Sequence, residues 1–310
     1  MKKTRILILG IGGVGGYYGG KLAARYANSP EMEIVFLARG AHADVIRQNG
    51  LQVFTTQGEF IARPHLVTAD AQMAGVADIF ICAVKSYDLE ESLKQYASCI
   101  APHTVVIPLM NGIDSAERIR ALIPAAEVVD ACVYIVSRLT NPGIIRETGK
   151  ISLVFFGNGN PHNERIKSIL RLFNKAGIEA QSPPNILQIA WEKFLFISSI
   201  ASLTCYFNAP VGDILSDPDR KDMLLRMIME LESVAAAKRV QLPPDVVEKV
   251  MERLASLPPE TTSSMHTDLQ KGGKTEVDAL TRYVVITARE LGFAVPVFEK
   301  VLNGLIQPNR

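Results

Sequence analysis

Along the first 180 residues, short apolar runs rich in β-branched side chains alternate with longer stretches whose apolar residues recur every third or fourth position. The runs at 5–9, 34–37, 79–83, 105–109, 128–136 and 151–156 predict strands, and the stretches at 13–26, 89–100 and 115–123 predict helices. Strands so uniformly apolar leave no face for water. Alternating with helices, they predict a parallel sheet covered on both sides. The pattern changes near 181–185, where Ser182-Pro183-Pro184 breaks the chain. Beyond that break the spacing is helical almost to the end. Residues 186–207 predict one apolar helix or two, and in 219–240 Met223, Met227, Leu231, Val234 and Ala235 share a helical face. Pro243-Pro244 opens a further helix to 257, and another over 277–291 stops at Gly292. The expected architecture is an α/β domain over 1–182 followed by an all-α helical domain over 183–310, with the site in the cleft between them.

The sharpest local signal is Gly10-Ile11-Gly12-Gly13-Val14-Gly15, which follows a predicted strand and opens a predicted helix. Gly10 permits the tight turn, Gly12 lets backbone approach a pyrophosphate on the helix N-terminus, and Gly15 lets helix and strand pack closely. The α/β domain therefore reads as a Rossmann-like dinucleotide-binding domain, with Gly10, Gly12, Gly13, Val14 and Gly15 as cofactor contacts. A bare glycine-rich turn that binds nothing is the alternative. The second strand chooses the dinucleotide. NAD sites usually place an acid after it to bond the ribose 2′-hydroxyl. Here the strand ends in Ala38-Arg39-Gly40. Arg39 suits the 2′-phosphate of NADP(H), which a guanidinium bonds in bidentate fashion, unless it is only a solvated surface arginine.

Composition narrows the field further. Hydrophobic residues are 48% and charged residues 21%, and 33 Lys plus Arg balance 32 Asp plus Glu. No global charge favours nucleic acid or a membrane surface. Cys82, Cys99, Cys132 and Cys205 have neither Cys-x-x-Cys nor disulfide-framework spacing, and the five histidines show no ligand-spaced pair. These features point to reduced thiols in a cytoplasmic protein and to no metal site. The N-terminal apolar run ends after four residues at Gly10, too short for an export signal. The stretch 194–207 is broken by Ser198, Ser199 and Ser202 and reads as a buried helix rather than a bilayer span.

No Ser-His-Asp order or paired-carboxylate motif stands out, so a lysine is the acid to look for. Lys193, in Trp191-Glu192-Lys193-Phe194, opens the most apolar helix of the chain. It either snorkels to solvent or sits desolvated in a cleft, where its proton becomes easier to give up. Together with the glycine motif, Val84-Lys85, Asn111-Gly112, Trp191-Glu192-Lys193, Ser263-Ser264-Met265 and Thr275-Glu276-Val277-Asp278 follow in an order that resembles the ketopantoate reductase family, over about residues 5 to 300. That resemblance implies reduction of 2-dehydropantoate to pantoate, a precursor of pantothenate and coenzyme A, with NADPH held by the first domain. It makes Lys193 the general acid, and it has Glu276 contact the substrate hydroxyl and balance the charge of the site. Ser264 would bond the substrate carboxylate, Asn111 would lie near nicotinamide and substrate, and Lys85 near the cofactor, which Glu276 would also contact. The plain alternatives are a turn at Asn111-Gly112, a helix cap at Ser264, a surface acid at Glu276 and a solvated Lys85.

The chain also departs from the family pattern. Asparagines of the family fall at Ile197, Ala201, Val211 and Thr261 here. An asparagine offers a donor and an acceptor to a polar substrate, so their loss makes a more apolar 2-keto acid the alternative substrate. Two further alternatives are a lysine-dependent dehydrogenase of the 3-hydroxy acid type and a non-catalytic NADP-binding sensor. The expected partner is a small 2-keto acid, with no nucleic acid and no membrane. Helical second domains of this kind often pair into homodimers, and a monomer is an equal alternative.

Overall fold

The computed structural model describes residues 3–149 and 151–306. Met1 and Lys2, part of the N-terminal stretch read against an export signal, lie outside the described residues, as do 307–310 of the expected helical domain. The chain falls into two compact units: Met1–Met110 with Ser115–Ile186, and Asn111–Asp114 with Leu187–Arg310.

The first unit is built on a six-stranded parallel sheet of β1 (Thr4–Leu9), β2 (Met32–Leu37), β5 (Leu66–Thr68), β6 (Ile79–Cys82), β7 (Val105–Pro108) and β8 (Glu127–Val128), in the order β5-β2-β1-β6-β7-β8. Leu7 stands opposite Val35 on one side and Phe80 on the other. Side chains alternate across a strand, which explains the continuous apolar runs. Ile6, Ile8, Ile34, Phe36, Ile79 and Ile81 enter one core cluster, while Leu7, Leu9, Val35, Leu37, Phe80 and Cys82 enter another. Helices α1 (Gly13–Tyr26), α2 (Gly40–Asn49), α3 (Ala71–Ala74), α4 (Leu89–Gln95), α5 (Ser115–Leu122) and α6 (Glu164–Lys175) connect the strands.

The predicted strand 128–136 is two strands. β8 ends at Val128, and β9 (Asp130–Tyr134) pairs antiparallel with β12 (Leu153–Gly157), which also pairs with β13 (Glu179–Gln181). A four-stranded sheet, β10-β11-β3-β4, joins the hairpin β3 (Leu51–Thr55) and β4 (Gly58–Ala62) to the hairpin β10 (Ser137–Asn141) and β11 (Ile144–Glu147). The predicted helix 89–100 is α4 followed by a 3-10 turn at Ala97–Cys99.

The second unit is helical: α7 (Ile186–Phe207), α8 (Val211–Ser216), α9 (Pro218–Ala237), α10 (Val246–Ala255), α11 (Ser264–Gln270), α12 (Tyr283–Glu290) and α13 (Pro296–Ile306). α7 is a single helix of 22 residues. It is apolar and long enough to cross a bilayer, but 67% of its most apolar window is buried inside the protein, where it forms the spine of the core. A five-residue π-helical segment, Asp278–Arg282, runs directly into α12, with the Tyr283 N–H donating to the Asp278 carbonyl. The α/β unit with a parallel sheet followed by an all-helical unit is the architecture the sequence predicts.

Candidate active site

The chain leaves β1 through Gly10, whose φ of +89° is a region that glycine alone enters cheaply. A Cβ on Gly10 would stand 2.8 Å from Ala83 and Val84 backbone atoms just beyond β6. A Cβ on Gly13 would lie 2.2 Å from the Ser137 carbonyl oxygen, and one on Gly15 2.1 Å from that of Gly10. Gly12 differs, since a Cβ there would meet nothing within 4 Å. Gly12 is the N-cap of α1, no side chain caps the helix, and its first turn holds no acid. The amides of this turn, Val14 included, therefore keep their hydrogen-bonding capacity, and the positive end of the helix dipole is uncompensated. A bare backbone at a helix N-terminus fits the pyrophosphate of a dinucleotide.

The two candidate cations of this unit follow the two parallel strands that flank β1. Arg39, just after β2, is the exposed N-cap residue of α2 and makes no hydrogen bond or ion pair among the described residues. The first turn of α2 carries no acid. Lys85, just after β6, is partly buried, and its carbonyl accepts from the Asp88 N–H at 2.9 Å in a 3-10 turn. Glycine turn, Arg39 and Lys85 all stand at the carboxyl ends of parallel strands, where open α/β sheets bind ligands.

In the helical unit, the Lys193 ammonium donates to Asn111 Oδ1 at 3.1 Å. An ammonium only donates, so Asn111 must present its oxygen, and its NH2 group faces elsewhere. Lys193 is partly buried and sits on a rigid stretch of α7. The next residue, Phe194, is 1% exposed and lies edge-on to Trp191 at 5.7 Å and to Tyr283 at 6.0 Å. Asn111 is held by Gly112, whose φ is +97° and whose Cβ position lies 3.4 Å from Ala279 in the π segment. Glu276, 2% exposed, lies two residues before the first residue of that segment, and its carbonyl accepts from the Leu280 N–H at 3.0 Å. The π segment is in turn bound to α7. The Ser198 hydroxyl donates to the Leu280 carbonyl, and Ser202 Oγ lies 2.7 Å from Thr281 Oγ1. One scaffold thus fixes Lys193, Asn111 and the approach to Glu276, and short π segments are common at functional sites.

Residues 6–161 match the family model described as ketopantoate reductase PanE/ApbA, and residues 185–308 match its C-terminal counterpart. The chain belongs to the ketopantoate reductase family. It is similar to the uncharacterized oxidoreductase YkpB of Bacillus subtilis strain 168, with 30% identity over 302 residues and 97% of each chain covered. It is also similar to the solved 2-dehydropantoate 2-reductase from Porphyromonas gingivalis W83, at 33% identity and a TM-score of 0.87, covering 99% of this chain and 100% of that one. D-mandelate dehydrogenase, solved with NADH and anilino(oxo)acetate, shares the fold at 21% identity and a TM-score of 0.85, covering 98% of this chain and 97% of that one.

As a ketopantoate reductase family member, the protein is an oxidoreductase with distinctive details. Ser264 is the exposed first residue of α11, and the cap is Ser263, whose Oγ accepts from the His266 N–H at 3.0 Å. Ser264 is therefore not the helix cap, and Glu276 is not a surface acid. Of the four positions where the resemblance leads one to expect asparagine, Ala201 and Val211 are buried while Ile197 and Thr261 are partly exposed. The Val211 N–H donates to the Thr261 carbonyl at 2.9 Å, which sets two of these positions side by side.

In the sequence Ser198 and Ser202 stand only as interruptions of an apolar run. Their i, i+4 spacing on one helix face is the signal that could have marked a polar seam. Thr204 lies on another face of α7, with Oγ1 2.9 Å from Ser263 Oγ, and ties α7 to the N-cap of α11.

Proposed function

We propose that the protein reduces a 2-keto acid with NADPH, with 2-dehydropantoate as the substrate and pantoate as the product. The observation that carries this reading is the Lys193 ammonium anchored on Asn111 beside the π segment that follows buried Glu276. The nicotinamide cofactor, when bound, supplies the hydride to the keto carbon. Lys193 donates the proton to the carbonyl oxygen as negative charge develops there, acting as general acid. Asn111 orients the ammonium, and its remaining amide N–H groups are donors for substrate or cofactor. Glu276 accepts from the substrate hydroxyl, and Ser264 bonds the carboxylate. The uncapped α1 turn and Lys85 hold the phosphates. Arg39, with no acid in the turn beside it, favours NADPH over NADH. Four free, buried cysteines suit the cytoplasm, and a homodimer is the assembly we expect by analogy with helical domains of this kind.

A second reading has its own support. Ile197 lies one helical turn beyond Lys193 and Ala201 a turn further, so this strip of α7 is apolar. It favours a 2-keto acid with an apolar side chain.

The test follows NADPH absorbance with purified protein and a panel of 2-keto acids, 2-dehydropantoate first, against NADH and a Lys193→Ala variant. Turnover of 2-dehydropantoate that drops by about 10²–10⁴-fold in the variant supports the proposal. Turnover confined to apolar keto acids moves the protein to the second reading. Equal rates in wild type and variant would remove Lys193 from its role.

A further inference from the structure

His42 has both ring nitrogens engaged. Nε2 lies 2.8 Å from the Ile11 carbonyl oxygen, and Nδ1 lies 2.9 Å from the Gly143 amide. An amide only donates and a carbonyl only accepts, so Nδ1 is bare and Nε2 carries the hydrogen. The ring is therefore the neutral Nε2–H tautomer. It bridges the glycine turn to the turn Asn141-Pro142-Gly143-Ile144 between β10 and β11. The same hairpin meets the glycine turn a second time, where the Ser137 hydroxyl donates to the Gly13 carbonyl at 3.0 Å.

We propose that His42 is a positioning residue of the dinucleotide site, holding the Ile11 carbonyl so that the Gly12 amide is aimed at the cofactor's pyrophosphate. This rests on the dinucleotide reading above. In a trans peptide the C=O and N–H of one plane point in opposite directions, and the described chain has no cis peptide bond. Fixing the Ile11 oxygen toward His42 therefore fixes the Gly12 N–H away from it, at a residue whose Cβ position has no neighbour within 4 Å.

Protonation would place a hydrogen on Nδ1, facing the Gly143 N–H, so that two donors oppose each other and the bridge opens. Burial pushes the His42 pKa below its ordinary 6.5, and the bond to Ile11 opposes that shift. Neither the glycine turn nor the 141–144 turn carries a titratable side chain. The charged groups of the packed elements are Arg39, Asp44 and Arg47 on α2 and Arg138, Arg146 and Glu147 on the hairpin. Asp44 pairs with Arg47 at 2.6 Å, Arg146 lies over the Phe54 ring, and Glu147 accepts from the Thr56 N–H.

The test titrates the His42 ring of the full chain by NMR, with and without NADP+, beside cofactor affinity against pH. We expect the Nε2–H tautomer, a pKa lowered further by cofactor through reciprocal linkage, and weaker binding as pH falls through it. His42→Gln keeps an N–H donor for Ile11 but cannot titrate. Its affinity should fall only a few-fold, and the acid limb by which it differs from wild type should vanish. His42→Ala should bind about tenfold more weakly at pH 8. A His42 pKa indifferent to NADP+, or the same acid limb in His42→Gln, would overturn the proposal even if His42→Ala fails to fold. If wild type binds no dinucleotide, the site reading itself fails and this inference goes with it.

Discussion

The four glycines of the N-terminal turn are alike in sequence but have different surroundings, and substitution should separate them. In Gly15→Ala the new Cβ would lie 2.1 Å from the Gly10 carbonyl oxygen, against a normal C···O contact of about 3.3 Å. Helix and strand must part by about 1 Å, at a cost of about 1–3 kcal/mol or more, which lowers Tm by several degrees. In Gly12→Ala the Cβ meets nothing within 4 Å. Its φ of −84° and ψ of −156° suit an L-residue, so stability should stay within about 1 kcal/mol of wild type. The methyl would instead stand where the pyrophosphate must approach, and we expect NADPH affinity to fall about 100-fold. Melting with and without NADPH measures both effects. At a cofactor concentration 100 times the wild-type Kd, wild type gains about 2.7 kcal/mol while Gly12→Ala, then at its own Kd, gains about 0.4 kcal/mol. Wild-type NADPH stabilisation of Gly12→Ala would refute the cradle, and a melting point as low as that of Gly15→Ala would refute the geometry.

Other outcomes follow from the same reasoning. Ser198→Ala leaves the Leu280 carbonyl without its hydroxyl donor. It should cost about 1–3 kcal/mol in a melt and lower kcat while NADPH affinity holds. Unchanged kcat would free Glu276 from dependence on that seam. Arg39→Ala should raise the Kd for NADPH by about 10–100-fold, the worth of a charge-assisted bidentate contact, and leave NADH unchanged. An equal loss for both would count against the 2′-phosphate role. His42 and His266 are both held below pKa 6.5 by burial. The unfolded state then binds more protons just below pH 6.5, so this contribution to stability is complete above 6.5 and is lost as pH falls through the folded pKa values. Denaturant midpoints at pH 7.5 and 5.5 should differ in that direction, and an identical pair would contradict it.

What could be read in the chain depended on which residues face inward. The central strands β1, β2, β6 and β7 announced themselves because both of their faces are buried, whereas the edge strand β5, only three residues long, did not. β10 did not, because most of Ser137–Asn141 is exposed and polar, and no hydrophobic period marks it. Lys193 was visible as a cation in an apolar helix, although it lies two turns into α7 and does not open it, and the glycine spacing was visible as a motif. The π segment was not, since an i to i+5 hydrogen bond leaves no period in the sequence. His42 was equally hidden: its partners are the backbone groups of Ile11 and Gly143, and 101 residues separate it from the second. The short helix α8 escaped because it rests on contacts with a distant segment, such as the Gly212 N–H on the Pro259 carbonyl, whereas the cap at Ser263 is a local bond to the His266 N–H that the adjacent Ser264 obscured.

Residues Asn111–Asp114 belong to the helical unit although the chain on either side belongs to the other. The polypeptide lends four residues to a unit whose remaining members are made some 70 residues later. Asn111 therefore leaves the ribosome long before α7 exists to meet it. A fragment cut at the border before Leu187 cannot reconstitute the Lys193–Asn111 pair from its own chain. Among relatives, a crossover that exchanged only the C-terminal half would join one lineage's lysine to another's loop, so the two halves of the gene should be inherited as a block.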